Sequence, residues 1–84
     1  MEEKLIGQVT HYYGKIGVAI VELTDNLRVG DKIHIKGSTT DFEQEVNSIQ
    51  IEHQNVPLAK KGSAIGLKVE NKVREGDKVY LVLE

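Results

Sequence analysis

A glycine–aspartate pair placed directly before a run of alternating residues is the feature that most constrains how this chain folds. In residues 27–37, Gly30-Asp31 precedes a run from Lys32 to Lys36 in which apolar and charged residues alternate. Gly-Asp is a turn signal, and alternation is typical of a strand with one buried face. The same order recurs at Gly76-Asp77, before residues 78–82. We therefore expect two turns that each start a strand of one sheet, rather than a duplicated domain.

Patterns elsewhere predict four further strands. Alternation predicts strands over residues 5–12 and 65–69, and the nearly continuous apolar run within 16–23 predicts a strand that is buried on both faces. Within residues 42–51 the apolar positions change parity near Asn47-Ser48, so we expect a β-bulge there. Residues 55–62 contain the only proline of the chain, and we expect a loop with one helical turn over 58–61.

Six short strands without a helix of useful length predict an all-β fold. At 84 residues the chain is expected to form one domain, residues 1–84, around an aliphatic core rich in Val, Ile and Leu. Closure of the sheet would leave no exposed strand edge in so small a domain. The sequence therefore predicts a small six-stranded barrel that is closed or nearly closed.

Charge and composition exclude several classes of function. The net charge of −2 argues against a protein whose main partner is a phosphate backbone. The absence of cysteine excludes disulfides, thiolate metal sites and a thiol nucleophile. Residues 1–4 are acidic on balance and are followed by no sustained apolar run, so we expect no signal peptide. No apolar run has the length of a membrane span, so we expect no membrane partner. We expect a cytoplasmic protein.

Basic side chains are nevertheless concentrated in the last third of the chain. Residues 57–83 hold six basic side chains against three acidic ones, and the predicted phosphate-binding set is Lys60, Lys61, Lys68, Lys72, Arg74 and Lys78. A second predicted contact is the turn at Tyr12, Tyr13 and Lys15, which combines two aromatic rings with a cation, as in proteins that stack on unpaired bases. Solvated lysines and tyrosines that pack against the end of a barrel are the alternative interpretation.

No residue pattern predicts catalysis. The three histidines, His11, His34 and His53, are not at the spacing of a metal-ligand motif, and we interpret them as solvated or rim side chains. Asp41, Glu43 and Glu45 alternate on one strand, which is the ordinary pattern of an exposed charged face. We therefore predict no catalytic residue, no metal, no cofactor, no small-molecule substrate and no enzymatic activity.

The ordered set of motifs resembles the second domain of translational GTPases such as elongation factor Tu. The motifs are Gly7 through Thr10, Leu27 through Gly37, Val46 through Gln50, Ala59 through Leu67, and Glu75-Gly76-Asp77. No nucleotide-binding loop of the form Gly-x-x-x-x-Gly-Lys-Ser/Thr accompanies them. This resemblance implies a translation-protein type barrel that binds RNA or a ribonucleoprotein, without GTP hydrolysis.

Two segments are also similar to the C-terminal barrel of collagenase-like peptidases, which shares that fold. They are residues 41–53 and the ending Val73 through Tyr80. No peptidase domain accompanies them, so this resemblance does not imply proteolysis by this chain. It implies the alternative function: a protein-interaction or accessory module that acts in trans with a peptidase-like enzyme.

Overall fold

The computed structural model describes residues 2–83 and confirms the all-β class. No helix occurs among the described residues, and none therefore has the length and apolar character needed to cross a membrane. The strands are β1 (Glu2–Tyr13), β2 (Val18–Leu23), β3 (Leu27–Arg28), β4 (Lys32–Lys36), β5 (Asp41–Glu45), β6 (Ile49–Ile51), β7 (Gln54–Val56), β8 (Leu58–Ala59), β9 (Ala64–Lys68) and β10 (Lys78–Leu83).

The expected six-stranded barrel, closed or nearly closed, is wrong in strand number and in closure. Eight strands form one sheet in the order β5-β4-β10-β1-β2-β9-β6-β7, and β3 pairs with β8 in a separate two-stranded sheet. The strands at the two edges, β5 and β7, do not pair with each other. Every neighbouring pair of strands is antiparallel. The backbone hydrogen bonds between strands therefore do not close the sheet into a barrel.

The strand predicted over residues 42–51 is interrupted rather than bulged. Residues 46–48 connect β5 to β6. β5 is one edge strand of the sheet, and β6 is next to the edge strand at the other end. The four residue steps from Glu45 to Ile49 span at most about 14 Å, so the sheet has to curl to bring these two strands within reach of each other. The parity change therefore marks a passage between strands, and the register shifts lie in β1 instead, between Leu5 and Gly7 and between Val9 and His11.

Three turns of the same geometry start β4, β9 and β10. Each has a glycine with positive φ at its third position, as a type II turn requires, and a backbone N–H from the fourth residue to the carbonyl of the first. The glycines are Gly30 (φ 98°), Gly62 (φ 90°) and Gly76 (φ 93°). The loop with a helical turn that was predicted over residues 55–62 is wrong: this stretch contains the end of β7, the short strand β8 and the turn at Gly62.

Each turn is joined by two backbone hydrogen bonds to a buried residue that lies in a neighbouring strand or directly after it. The glycine N–H donates to the carbonyl of that residue, whose own N–H donates to the carbonyl of the next turn residue. The buried partners are Val46 for Gly30, Leu23 for Gly62 and Val9 for Gly76. These bonds extend the ladders of β4 with β5, β9 with β2 and β10 with β1.

Aspartate stabilises two of these turns through its side chain. Asp31 Oδ2 accepts a hydrogen bond from the backbone N–H of Arg28 at 2.9 Å, and Asp77 Oδ2 accepts one from that of Arg74 at 2.8 Å. The Gly-Asp pairs are therefore two occurrences of one local turn, as the sequence predicts.

The core lies on the concave side of the curled sheet and is wholly aliphatic at its centre. It includes the inward-facing residues of every long strand, and β4 contributes Ile33 and Ile35, both fully buried. Gln44 is a buried polar exception on β5, and its amide bonds to the backbone of Lys68, at the end of β9, and of Glu70, just after it. This leaves the outer face of the sheet as the place where a functional site has to be sought.

Candidate functional site

The six predicted basic residues lie in four separate places. Lys60 and Lys61 belong to the turn before β9, whereas Lys68 ends that strand, opposite Val18. Every one of the six is exposed; Lys72 and Arg74 line a cleft with Thr39 and Thr40, and Lys78 donates a hydrogen bond from Nζ to Gln8 Oε1 at 3.3 Å. Their role in binding nucleic acid stays a prediction, and the strand register does not unite them in one patch.

The predicted aromatic tip divides between the two faces of the sheet. Tyr12 is half-buried and packs against the core, whereas Tyr13 is 47% exposed and lies 4.4 Å from the ring of His11, measured between ring centroids. Consecutive strand residues point to opposite faces, so the two tyrosines do not form one stacking surface. Lys15 lies in the adjacent turn and is exposed. A role for these three residues in stacking on bases also stays a prediction.

An apolar cleft of about 290 Å³ lies on the outer face of β2, β6 and β9. Its apolar lining comes from Tyr13, Ile16, Val18 and Ile20, with Gly66 beside Ile20 across the β2–β9 ladder. Ile16 is 64% exposed. The apolar run of residues 16–23 was expected to be covered on both faces, but only its inward-facing side chains are buried. This uncovered apolar surface is the feature that the sequence predicted as core.

We call this cleft the Gly66 groove, and its polar lining comes from the β6–β7 hairpin. Gln50 pairs with Gly66 across the β6–β9 ladder, and Glu52 and His53 lie in the turn that follows β6. Both turn residues have positive φ, 51° and 65°. A two-residue turn of this kind matches the twist of a hairpin. The hairpin therefore holds Glu52 and His53 at one end of the groove.

A second cluster surrounds His34 on the outer face of β4. The ring of His34 is 12% exposed; its Nδ1 lies 2.6 Å from Glu3 Oε2, and its Nε2 bonds Asp41 Oδ1. The hydrogen bond with Asp41, reinforced by Glu3, raises the pKa of His34 above 6.5 against the effect of burial. The same bond lowers the pKa of Asp41 below 3.8. The protonated ring thereby joins β1, β4 and β5.

This cluster contains residue types that bind metal cations, but their side chains are already paired with one another. Ligand atoms of Glu3, His34 and Glu43 lie within 4.8 Å of one another. Both ring nitrogens of His34 already face carboxylates, and a protonated imidazole has no lone pair for a metal. Glu43 also pairs with Lys32, whose Nζ is 3.2 Å from Glu43 Oε1. The arrangement is that of a charged network which stabilises the sheet face.

Sequence comparison relates almost the whole chain to part of two larger proteins. An uncharacterized protease of Methanocaldococcus jannaschii is 49% identical over 80 residues, which cover 94% of this chain and 20% of the protease. A collagenase of Porphyromonas gingivalis is 38% identical over 81 residues, which cover 94% of this chain and 22% of the collagenase. The chain thus spans about a fifth of the length of these curated relatives. No known family model matches it.

Structural comparison gives the fold. The C-terminal domain of a Geobacillus thermoleovorans protein assigned to the U32 peptidases superposes with a TM-score of 0.89 at 20% identity, over 95% of this chain and 93% of that domain. A selenomethionine variant of the domain gives 0.86 at 22% identity, over 90% and 96% of the two chains. These findings support the peptidase resemblance, whereas the elongation-factor resemblance is not confirmed. The chain has the fold of a U32 peptidase C-terminal domain and resembles, in sequence, part of a protease and a collagenase.

Proposed function

We propose that this chain is a non-catalytic interaction module that works with a peptidase of the U32 type. The observation that carries the proposal is the extent of the similarity to the Methanocaldococcus jannaschii protease: nearly all of this chain, but only a fifth of that protein. The shared part therefore coincides with one folded unit. A unit of this kind fits an accessory domain that binds the remainder of the enzyme or its protein substrate.

The arrangement of titratable groups supports a binding role rather than catalysis. Nucleophilic catalysis requires a general base with a free nitrogen or carboxylate oxygen beside the nucleophile. His34 has both ring nitrogens bonded to carboxylates, so neither is free to act as a base. His11 pairs through Nδ1 with Glu75 Oε2 at 3.2 Å, but among the described residues no hydroxyl bonds to its ring, and the adjacent Thr10 hydroxyl donates to the carbonyl of Ile20 instead. His53 is exposed in a hairpin turn. A module that supplies a surface, while other residues of the enzyme supply the chemistry, fits these surroundings.

The nucleic-acid alternative has weaker support. It depends on the predicted basic set, whose members lie at four places in the fold, and the names of the relatives refer to proteolysis. Binding to a phosphate backbone is steeply salt-dependent. A salt titration therefore separates the two functions.

The test uses the Methanocaldococcus jannaschii protease from which the matching 80-residue segment has been deleted. We expect this shortened protease to form a 1:1 complex with the chain, measured by light scattering and calorimetry at concentrations up to about 100 µM. The intact protease serves as the control, because its own segment competes for the same place. Absence of a complex would overturn the proposal, as would binding that occurs only with RNA.

A further inference from the structure

The Gly66 groove combines an apolar floor with a missing side chain. Gly66 points to the outer face, because its neighbours Ile65 and Leu67 are fully buried on the inner one. A Cβ at Gly66 would meet only ordinary contacts, at 3.6 Å from Val18 Cγ1 and 3.7 Å from Gln50 Cβ. Its φ is not positive. The backbone therefore does not require glycine here, and its absent side chain leaves a notch above the sheet.

Charged residues frame this notch with opposite signs at its two ends. Along β9, Ala64 pairs with Glu22 and Lys68 pairs with Val18, so Glu22 and Lys68 mark opposite ends of the groove. Because β6 runs antiparallel to β9, Glu52 follows toward the Glu22 end. Lys15 lies in the turn next to Val18, at the Lys68 end.

These four charges are available to a partner. All of them are exposed, and none takes part in an ion pair between residues 2 and 83. Opposed charges at the two ends of an apolar patch favour one direction of binding, since like charges brought together are repelled. The groove thus has an apolar site for an anchoring side chain, and the opposite charges at its two ends define a direction for the bound segment.

We propose that the Gly66 groove binds an extended segment of the peptidase partner, with an aliphatic side chain seated over Gly66. The segment carries a basic side chain toward Glu22 and Glu52 and an acidic one toward Lys15 and Lys68. This proposal rests on the proposed function and specifies the surface and the chemistry of the partner. An anchor side chain in a desolvated notch contributes most of the energy of such a contact, whereas the charges at the rim set orientation and association rate.

The test measures binding of groove variants to the shortened protease. Ile16→Ser removes an exposed apolar side chain at the edge of the groove, and Gly66→Leu fills the notch. Each is expected to weaken binding about tenfold or more, as for the loss of an anchor contact. Leu58→Ser is the matched control: Leu58 is 41% exposed and lines a different cleft that shares no residue with the groove. It is expected to bind as the unmodified chain does.

Charge reversal tests the direction of binding. Lys68→Glu is expected to slow association several-fold at low salt, and the effect is expected to vanish at about 0.5 M salt, where the Debye length is only a few ångströms. Urea unfolding of every variant verifies that the fold is intact. Ile16→Ser keeps the test valid if Gly66→Leu does not fold, because a residue that is 64% exposed contributes little to the core.

The outcomes separate the two proposals. If the unmodified chain does not bind the shortened protease, the proposed function fails. If the unmodified chain binds and the folded groove variants bind equally well, the groove proposal is wrong and the proposed function stands. Equal loss of binding in Leu58→Ser and Ile16→Ser also overturns the groove proposal, because it would indicate a general dependence on surface hydrophobicity.

Discussion

The side chain of Gln44 bridges two parts of the chain that backbone hydrogen bonds leave apart. Gln44 lies on the edge strand β5 and is 5% exposed. Its Nε2 donates to the carbonyl of Lys68 at 2.9 Å, and its Oε1 accepts from the N–H of Glu70 at 2.8 Å. The side-chain amide thus donates and accepts one hydrogen bond each, as a backbone peptide group of a paired strand would, and it links β5 to the end of β9. Replacing it tests what holds the curled sheet together at this edge.

We expect Gln44→Met to lower the free energy of unfolding by about 2 kcal/mol. Each lost hydrogen bond contributes about 1 kcal/mol, and a backbone group left without a partner costs up to about 3 kcal/mol if water does not reach it. Lys68 and Glu70 are exposed residues, so partial hydration of their backbone groups keeps the loss near the lower figure. Methionine fills nearly the same volume, which keeps the packing contribution small.

Urea unfolding followed by circular dichroism measures this loss. For a small domain the dependence of unfolding free energy on urea is about 1 kcal/mol per molar, so the midpoint is expected to fall by about 2 M. Gln50→Met is the matched control, because the exposed Gln50 donates only to the exposed Asn55 side chain at 3.2 Å, and it is expected to change stability by less than about 0.5 kcal/mol. Equal midpoints for the two variants would refute the bridging role of Gln44.

A charged variant, Gln44→Glu, tests the hydrogen bond that Gln44 Nε2 donates to the carbonyl of Lys68. In Gln44→Glu the side chain keeps an acceptor for the N–H of Glu70, but it loses the donor to Lys68 and brings a carboxylate against a carbonyl oxygen. We expect this variant to be at least as unstable as Gln44→Met at pH 7. It should recover when acid protonates the carboxyl group, which then donates to Lys68. No recovery at low pH, with Gln44→Met as the reference, would contradict the assigned geometry.

Three further predictions concern the turns and the His34 network. Alanine in place of Gly30, Gly62 or Gly76 is expected to lower the free energy of unfolding by a similar amount, about 1–2 kcal/mol, because each of these turn glycines has a positive φ. Urea midpoints that differ widely among the three variants would contradict the equivalence of the turns. Gly37→Ala is expected to lower the free energy of unfolding by about 1–3 kcal/mol in the same assay. The reason is that the new Cβ would overlap the carboxylate of Asp77, which is 4% exposed and stabilises the turn before β10. Gly66→Ala, whose Cβ would make only ordinary contacts, is the control, and equal stability of the two variants would count against this role of Asp77. The stability difference between the unmodified chain and His34→Gln is expected to be largest between pH 3.8 and 6.5. It is expected to shrink as pH rises through the raised pKa of His34 and as pH falls through the lowered pKa of its partner Asp41. A difference that shrinks neither above pH 6.5 nor below pH 3.8 would refute the network.

The sequence predicts those features of the fold that depend on neighbouring residues. Alternation places Ile33 and Ile35 inward and His34 outward, as observed, and the two Gly-Asp turns form where they are expected. Sheet order and closure depend on which distant strands pair, and this information is not carried by periodicity. The parity change near residues 46–48 illustrates this limit, because a bulge and a passage between strands give the same pattern.

The candidate site was missed because its residues have the composition of a core. Ile16, Val18 and Ile20 fall in an apolar run, and sequence alone does not reveal that nothing in the described chain covers their outer side. Gly66 falls within a run that alternation predicts as an ordinary strand, and the sequence does not reveal that its missing side chain leaves a notch on the surface. The His34 network was missed for another reason: Glu3, His34 and Asp41 come together only through the order of β1, β4 and β5 in the sheet.

The three glycine turns have a consequence for the order in which the chain folds. Gly30 bonds to Val46 within one short stretch of chain, Gly62 bonds to Leu23 across about half of it, and Gly76 bonds to Val9 near opposite ends. The entropy lost on closing a loop rises with its length, so contacts between nearby residues form more readily than distant ones. One turn geometry repeated at three separations thus favours a graded assembly, in which the pairing of β1 with β10 completes the sheet last.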